Sequence, residues 1–522
     1  MHPLEQPVGD HMGAYSVHNK VKSMNELAAI TAALRRERKS VVHCHGVFDL
    51  LHPGHIKHFE AAKREGDVLV VTVTEDRYVD KGPGRPVFNE RLRVESIASL
   101  QCVDYVAINR APTAVQAIKA IRPDVYVKGS DYADRAKDLT GDIYREEEAI
   151  KSVGGRIHFT EEMSFSSTGL LNIHFNVYHE EADEFLKCFR EKYSADDVIR
   201  NLKALKEMKV MVVGDAIVDE YHYCQPIGKA WKETVIVTKY LNRESFAGGV
   251  LAAANHVAGF CDNVHMVTCL GTENSQEDFI RGRLKPTIDT HFFYRDDSPT
   301  VVKRRYVDPI FLSKLFEVCF LNDQNLPKDV DAEVCEYLSQ KCREYDLVIA
   351  CDFGNGFIGQ EIVDVLSQSS RFLAVNTQTN SANLGFNVIT KYPKADYVCI
   401  DEPEIRLATR EKFDDLEKLI PEISEKLRCP RVMITRGNLR TIGYEAGKGF
   451  VGIPVFSEEV VDRIGAGDAF LAITSPCVAA GYPMDIVGFI GNAVGALAVR
   501  IVCNREPVQP IPLYKFISAL LK

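Results

Sequence analysis

Two histidines three residues apart, His52 and His55, stand where an apolar run ends and a helical pattern begins. Pro53 suits a first helical turn, because its missing N–H costs nothing there. Side chains three residues apart lie on one helix face, and the free N–H groups and dipole of a helix start favour phosphate. The pattern therefore predicts transfer of a nucleotidyl group from a triphosphate, with His52 and His55 donating to the phosphoryl oxygens.

Three further phrases follow in the chain. They are Lys81-Gly82-Pro83-Gly84-Arg85-Pro86, Lys128-Gly129-Ser130-Asp131-Tyr132 and Phe165-Ser166-Ser167-Thr168. Together with the histidine segment, they resemble the cytidylyltransferase-like nucleotidyltransferases over residues 41 to about 175. The resemblance implies a Rossmann-like domain in which His52, His55 and Lys81 are catalytic. It also implies a set of nucleotide contacts: Gly46, Phe48, Asp49, Lys128, Gly129, Asp131, Ser166, Ser167 and Thr168.

A second chemical motif lies near the C-terminus, at residues 461–470. Gly465, Ala466 and Gly467 leave backbone N–H groups free to point at an anion, and an apolar helical pattern follows directly. Asp468, at the end of this turn, can take a proton from an alcohol that attacks a γ-phosphate. The motif therefore predicts a phosphoryl-transfer site.

This motif resembles that of the ribokinase-like (PfkB) sugar kinases, and other motifs of that family occur in family order over about 208–510. The resemblance implies that Asp468 is the base, that residues 465–467 form an anion hole, and that Thr435 and Gly437 lie near the nucleotide. It implies substrate contacts from Asp215, Asp219, Gly248, Gly249, Arg305 (or its neighbour Lys303) and Asp352, and a Mg²⁺ site at Asp401 and Glu404. Two positions depart from the family pattern, since Ala252 replaces an Asn and Asn355 replaces a frequent Lys. The sugar pocket should therefore differ from that of close relatives.

The elements that position these motifs are short apolar runs that alternate with helical patterns. The runs include residues 68–73, 105–108, 125–127 and 156–159, and later Leu347–Asp352 and Tyr397–Asp401. Continuously apolar strands separated by helices indicate parallel sheets covered on both faces, with ligands at the carboxyl ends of the strands. The predicted fold class is α/β, with two doubly wound domains: an N-terminal Rossmann-like nucleotidyltransferase and a C-terminal ribokinase-like fold.

The predicted domain organisation has four parts. Residues 1–38 are a lead-in, 39–178 the nucleotidyltransferase domain, 179–208 a helical linker and 209–522 the sugar kinase domain. The linker is charge-rich, has apolar residues at helical spacing, and contains a helix start at Ser194 with Asp197 three residues later.

Composition limits the possible partners and location. The 522 residues carry a net charge of −10 with a pI of about 5.9, which argues against bulk nucleic-acid binding. Fourteen cysteines without a C-x-x-C pair indicate reduced thiols. We see no run of 18 apolar residues and no secretory signal. We expect a cytoplasmic protein with small-molecule partners, no nucleic-acid or membrane partner, and a homo-oligomeric state, most simply a dimer.

The two halves together resemble the bifunctional heptose-phosphate kinases and heptose-1-phosphate adenylyltransferases, although the familiar order places the kinase first. The resemblance implies use of ATP and Mg²⁺, phosphorylation of a sugar or sugar phosphate, and formation of an NDP-sugar for surface polysaccharide. Two alternatives remain open at this point. One is a CTP-dependent transferase acting on a sugar or polyol phosphate with a fused kinase, and the other is a nucleotide-sensing scaffold with one inactive site.

Overall fold

The computed structural model describes residues 19–79, 81–129, 141–160, 178–381, 383, 385–457 and 459–522. The chain forms two compact units, an N-terminal unit that ends at Val177 and a C-terminal unit over Tyr178–Leu521. Each unit contains its own parallel sheet. None of the described helices combines the length and the apolar character that crossing a bilayer would require.

The described part of the N-terminal unit contains five strands in one parallel sheet, in the order β3-β2-β1-β4-β5. The strands are β1 (Val41–Gly46), β2 (Val68–Thr74), β3 (Tyr105–Asn109), β4 (Val125–Gly129) and β5 (Arg156–Thr160). These are the apolar runs of the sequence, so the predicted doubly wound sheet is confirmed.

Helices cover both faces of this sheet. They are α1 (Met24–Arg36), α2 (Pro53–Arg64), α3 (Glu90–Ala98), α4 (Val115–Ile121) and α5 (Asp142–Ser152). Val42 and Val71 pack with Phe59 of α2 on one face, whereas Val41 and Val70 pack against Leu27 of α1 on the other. Alternate residues of a strand point to opposite faces, so a sheet buried on both sides needs apolar residues at every position.

The strands of the C-terminal unit form two sheets. They are β6 (Lys209–Gly214), β7 (Ala216–Lys229), β8 (Ile236–Gly249), β9 (Asn263–Gly271), β10 (Ile288–Arg295), β11 (Val301–Asp308), β12 (Ser313–Phe320), β13 (Leu347–Asp352), β14 (Leu373–Thr377), β15 (Tyr397–Asp401), β16 (Arg431–Thr435), β17 (Thr441–Glu445) and β18 (Gly449–Ile453). The main sheet has nine strands in the order β10-β9-β6-β13-β14-β15-β16-β17-β18, parallel except at β17 and β18.

The second sheet, here called the four-stranded sheet, has the order β12-β11-β7-β8. Its outer strand β12 is exposed at every position. The core of the unit lies instead around the main sheet, where Val213, Val348 and Ile400 are fully or almost fully buried. The four-stranded sheet also contributes to a smaller cluster, in which Tyr221, Phe246 and Val307 are buried.

The helices of the C-terminal unit begin with two in the segment that the sequence suggested as a linker. They are α6 (Glu180–Lys192), α7 (Ala195–Ala204), α8 (Val250–Val257), α9 (Glu277–Arg283), α10 (Lys328–Lys341), α11 (Gln360–Ser369), α12 (Glu402–Thr409), α13 (Leu416–Lys426), α14 (Ala466–Ala479), α15 (Met484–Ala498) and α16 (Pro510–Leu520). Phe189 of α6 stacks on Phe489 of α15 with ring centroids 4.4 Å apart. Ser194 caps α7 in a capping box with Asp197, as its spacing predicted.

Candidate active sites

The two histidines of the N-terminal unit lie at the start of α2. His52 is the N-cap residue, and its ring stacks on that of His55 with centroids 3.9 Å apart. Burial lowers the pKa of His52, and it lowers the pKa of His55 to about 3 with help from the charges of His52 and Lys81. The structure thus brings His52, His55 and Lys81 together. Uncharged imidazoles here can donate to a phosphate oxygen, or gain a proton when a phosphate binds.

The turn before α2 is tightly fitted. Phe48 has a positive φ of 51°, and a Cβ on Gly46 would approach the Phe48 ring to 2.9 Å. Asp49 is buried, accepts a hydrogen bond from the Phe88 N–H at 3.0 Å and lies 3.6 Å from Arg85. Gly46, Phe48 and Asp49, all three predicted nucleotide contacts, therefore help to shape the turn that precedes His52.

The end of β4 supplies the next pair of predicted residues. Lys128 is buried and its Nζ lies 2.9 Å from an oxygen of buried Glu146, so its charge is balanced within the protein. An added Cβ at Gly129 would meet no atom within 4 Å, which leaves open space beside the strand end. The predicted contacts Asp131, Ser166, Ser167 and Thr168 lie outside the described residues.

One residue of this site escaped sequence reasoning. Arg93 is almost fully buried and donates to the carbonyls of Val47, Thr74 and Phe88. It also forms an ion pair with Asp76. Arg93 thus ties the turn before α2 to the end of β2. An arginine in the middle of a helical pattern gives no sequence signal for such a role.

A cavity of about 630 Å³ opens in the C-terminal unit. Its wall includes most of the site residues that the resemblance to sugar kinases predicted. Those on its wall are Asp219, Gly249, Arg305, Asp401, Glu404, Thr435, Gly437, Gly465, Ala466, Gly467 and Asp468. Sequence reasoning did not select Asn376, Gln378, Arg436 or Asn504, which also line it.

Asp468 lies in the first turn of α14, whose N-cap is Gly465 with a φ of 87°. A Cβ at Gly465 would come within 2.0 Å of the Asn504 side chain, so this position requires glycine for space as well as for conformation. Burial, with the charge of Asp219, raises the pKa of Asp468 to about 7, against the opposing charge of Lys303. A carboxylate with this pKa can accept a proton near neutral pH.

Arg305 is paired with acidic residues of the four-stranded sheet. Its guanidinium pairs with Asp219 and, through Nε at 2.7 Å, with Glu317 of β12. Two carboxylates therefore balance its charge while it lines the cavity, and its contact with a substrate phosphate stays a prediction. Gly248 does not line the cavity, and a Cβ there would lie 2.1 Å from Asp219, so this glycine makes room for the carboxylate.

Asp215 and Asp352 also lie off the cavity wall. Asp215 accepts hydrogen bonds from the N–H groups of Phe353 at 3.1 Å and Phe357 at 3.3 Å, and burial beside Asp352 raises its pKa to about 6. Asp352 pairs with Lys391 at 2.6 Å. Both carboxylates accept hydrogen bonds from N–H groups of the turn that follows β13, and their contact with substrate stays a prediction.

Asp401 and Glu404 form the capping box of α12. Each accepts the other's backbone N–H at 2.8 Å, and Glu404 also accepts the Thr379 N–H at 3.0 Å. Burial and the Asp401 charge raise the pKa of Glu404 to about 8, and burial raises that of Asp401. Neither carboxylate pairs with a lysine or arginine in the described chain. Two uncompensated carboxylates on a cavity wall fit a divalent cation.

Such a cation would need further ligands. Within the described ranges there is no group of three or more His, Cys, Asp or Glu side chains that could hold a metal by themselves. Mg²⁺ commonly takes one or two carboxylates and completes its shell with water and substrate phosphates. The site therefore suits a cation that arrives with a nucleotide better than a resident structural metal.

The family comparisons identify two domains, and each of them contains one of these candidate sites. Residues 207–507, more than half of the chain, match the family model described as pfkB family carbohydrate kinase. The chain belongs to the pfkB family of carbohydrate kinases. Residues 43–173 match the family model described as Cytidylyltransferase-like. Both domains inferred from the motifs are confirmed, with a nucleotidyltransferase domain preceding a kinase domain.

Individual relatives match over the first part of the chain. The chain is 34% identical over 170 residues to the "Bifunctional protein HldE" of Syntrophotalea carbinolica, and 36% identical over 171 residues to that of Trichlorobacter lovleyi. Each match covers 32% of this chain and 32% of the relative, so the chain spans about a third of the length of the curated relatives it matches. A ribokinase from Thermotoga maritima aligns over 59% of this chain and 99% of its own, at 19% identity and a TM-score of 0.49.

Proposed function

We propose that the protein is a bifunctional enzyme. The kinase domain phosphorylates a sugar or sugar phosphate with ATP, and the N-terminal domain joins a sugar-1-phosphate to a nucleotide with release of pyrophosphate. The observation that supports this most is Asp468, a carboxylate with a pKa of about 7 that follows an anion-binding turn in a cavity of nucleotide size.

In the kinase reaction, a sugar hydroxyl gives its proton to Asp468 while its oxygen attacks the γ-phosphorus of ATP. The bond from that phosphorus to the β-phosphate oxygen breaks, and ADP leaves with the electron pair. The N–H groups of residues 465–467 and the start of α14 stabilise the charge on the transferred group. Mg²⁺ bound with ATP near Asp401 and Glu404 would neutralise phosphate charge.

In the transferase reaction, an oxygen of the sugar-1-phosphate attacks the α-phosphorus of the nucleoside triphosphate, and pyrophosphate leaves. His52 and His55 lie at a helix start where they can donate to the triphosphate oxygens, and Lys81 adds a positive charge nearby. Negative charge develops on the pyrophosphate as it leaves, so hydrogen-bond donors and cations beside its oxygens lower the barrier.

The substrates are proposed from the resemblance of both halves to heptose enzymes and from the relatives named HldE. A heptose-like sugar phosphate and ATP would give an ADP-heptose-like product for surface polysaccharide. A second candidate is a CTP-dependent transferase that makes a CDP-sugar or CDP-polyol. The match of residues 43–173 to a cytidylyltransferase-like model favours it.

We further propose a homodimer formed through the four-stranded sheet. The strand β12 is exposed throughout, and large apolar side chains protrude from this sheet and its hairpins: Ile227, Trp231, Ile236, Ile310, Phe311 and Phe316. Exposed apolar patches of this kind are typical of protein interfaces. Cytoplasmic location is proposed because ATP is the substrate and all fourteen cysteines are free.

One experiment tests both activities and both candidates. The full chain is incubated with ATP or CTP and a panel of heptose, hexose and polyol phosphates, and products are identified by mass spectrometry. We expect a phosphorylated sugar with ATP, and an NDP-sugar with pyrophosphate. A CDP-polyol would favour the second candidate. Absence of both products across the panel, with nucleotide still bound, would overturn the proposal.

A further inference from the structure

Lys303 is a buried lysine on the cavity wall. It is 7% exposed, and it lies on β11 opposite Asp219 of β7 on one side and Cys319 of β12 on the other. Residues two apart on a strand share one face, so Lys303 and Arg305 both point to the cavity while Arg304 points away. The four-stranded sheet therefore offers two cations to whatever occupies the cavity.

These two cations differ in what surrounds them. Arg305 pairs with Asp219 and Glu317, and on the opposite face Arg304 pairs with Glu220 at 2.7 Å. Across the described chain, Lys303 makes neither a hydrogen bond nor an ion pair. Lys303 is thus a cation on the cavity wall that the described residues leave unpaired, so it is free to bind an anion in the cavity.

The position of Lys303 indicates which anion this is. Its charge acts directly on Asp468, whose carboxylate stands at the end of the anion-binding turn. Asp219 and Glu404 are the other acidic groups that interact with Asp468, and Arg305 and Arg463 are further cations on the cavity wall. In the proposed kinase reaction, the γ-phosphate of ATP must lie beside the turn at residues 465–467, within reach of the sugar hydroxyl that Asp468 deprotonates.

We propose that Lys303 is a catalytic residue of the kinase domain, whose ammonium binds the γ-phosphate of ATP and remains on it during transfer to the sugar. The inference rests on the proposed kinase function and adds a side-chain cation to the backbone anion hole. A cation placed on the equatorial oxygens of the transferred group stabilises the charge that they carry in the transition state.

A phosphate group on the sugar substrate is a second anion that Lys303 can bind, so the test must distinguish this group from the γ-phosphate of ATP. We would measure binding of ADP and of the β,γ-imido analogue of ATP to the full chain by calorimetry. The variants are Lys303→Met, Lys303→Arg and, as a matched control on the same sheet, exposed Lys239→Met. The N-terminal site contributes equally in every variant, so differences report on the kinase cavity.

We expect Lys303→Met to weaken binding of the imido analogue by at least ~10-fold, the size of a lost hydrogen bond to a charged group. ADP binding should change by less than about twofold, because ADP lacks the γ-phosphate. Lys303→Arg should keep most of the preference for the analogue, and Lys239→Met should match the wild type. Thermal unfolding of Lys303→Met should remain close to that of the wild type, because Lys303 makes no hydrogen bond or ion pair with the described residues that the substitution would remove.

Equal weakening of ADP and analogue, or no weakening of either, would overturn the proposal. So would an unchanged analogue affinity combined with a raised KM for phosphorylated acceptors alone, since that pattern assigns Lys303 to the sugar phosphate. If Lys303→Met does not fold, Lys303→Gln provides the same comparison. If the wild type binds the analogue but phosphorylates no acceptor, the proposed function fails, while the binding comparison still decides whether Lys303 binds the γ-phosphate.

Discussion

The Nζ of Lys314 lies 2.6 Å from Oδ1 of Asp462 and joins the exposed outer strand β12 to the turn before the catalytic helix. The Asp462 side chain is fully buried. It also accepts hydrogen bonds from the Tyr221 hydroxyl at 2.6 Å and from the N–H groups of Ile464 and Cys503. Asp462 is therefore the point at which two strands of the four-stranded sheet meet the segment that positions the anion-binding turn.

This connection leads to a prediction for Lys314→Met. Ile464 directly precedes Gly465, so loss of one donor to Asp462 should loosen the turn without removing any group that contacts ATP. We expect the kcat of phosphorylation to fall roughly tenfold, which corresponds to the lower range for a hydrogen bond to a charged group. ADP affinity should change little. Lys314→Arg keeps the charge and should recover most of the rate, whereas an equal loss in both variants would argue against the ion pair.

The second prediction concerns Asp468→Asn. The amide keeps the shape of the carboxylate but cannot accept a proton, so phosphorylation should fall by at least ~10² while ATP binding persists. In the wild type, the carboxylate must be ionised to act, and its pKa is raised to about 7 by burial and by Asp219. The rate should therefore rise with pH up to about 7 and approach a tenfold loss per unit below it. A flat pH profile would assign proton transfer to another group.

The same raised pKa has a consequence for stability. Because the folded-state pKa of Asp468 exceeds its ordinary value of 3.8, folding favours the protonated form. The stabilisation is complete below the ordinary value and is lost as pH rises through about 7. Asp468→Asn, which stays neutral, should therefore unfold at a higher temperature than the wild type at about pH 8 and gain nothing at about pH 4.

The third prediction separates the two activities. His52→Ala or His55→Ala should lower pyrophosphate release by roughly 10²–10³, the usual loss for one donor to a developing oxyanion. Phosphorylation by the kinase domain should be unchanged, because these residues belong to a different compact unit. His58→Ala is the comparison on the same helix, because Nδ1 of His58 is hydrogen-bonded to Oγ1 of Thr160 at 2.9 Å. Wild-type pyrophosphate release in either first variant would exclude that histidine from the mechanism.

Much of the fold could be predicted because strands buried on both faces must be apolar at every position. Residues 347–352 are an example: the run Leu-Val-Ile-Ala-Cys-Asp became β13, and all six residues are buried. The turn at Gly465 could also be predicted, because a Gly-Ala-Gly run before a helical pattern indicates such a turn, and Gly465 has the positive φ that favours glycine. These signals are local, and a single segment of sequence contains them.

The roles that could not be predicted depend on contacts between distant segments. For example, the ion pair between Arg305 and Glu317 joins two neighbouring strands, and nothing in the sequence indicates that these two side chains meet. The hydrogen bonds that Asp215 accepts from the N–H groups of Phe353 and Phe357 could not be predicted, because these residues lie 138 and 142 positions further along the chain. Asp401 and Glu404 were selected from the sequence only as a Mg²⁺ site, and the structure shows that they also form the capping box of α12.

The final prediction concerns where the chain can be divided. From the sequence, residues 179–208 were interpreted as a linker, and a kinase fragment could then begin at residue 195. In the structure, Ala182, Leu186 and Phe189 of α6 are buried in the C-terminal unit, and Arg190 donates to the Leu520 carbonyl at 2.6 Å. Removing α6 would therefore expose the apolar surface that it covers.

We expect fragment 178–522 to be monodisperse and to retain phosphorylation, and fragment 195–522 to be less stable. Leu186 and Phe189 alone account for about 1.5–3 kcal/mol each, since both are buried. Phe185 also contacts Phe456, which lines the cavity, so the shorter fragment should bind ATP more weakly where it folds at all. Urea unfolding and ADP formation measure the two effects, and fragment 1–177 is assayed for pyrophosphate release. Equal stability and activity of the two kinase fragments would show that α6 is a linker after all.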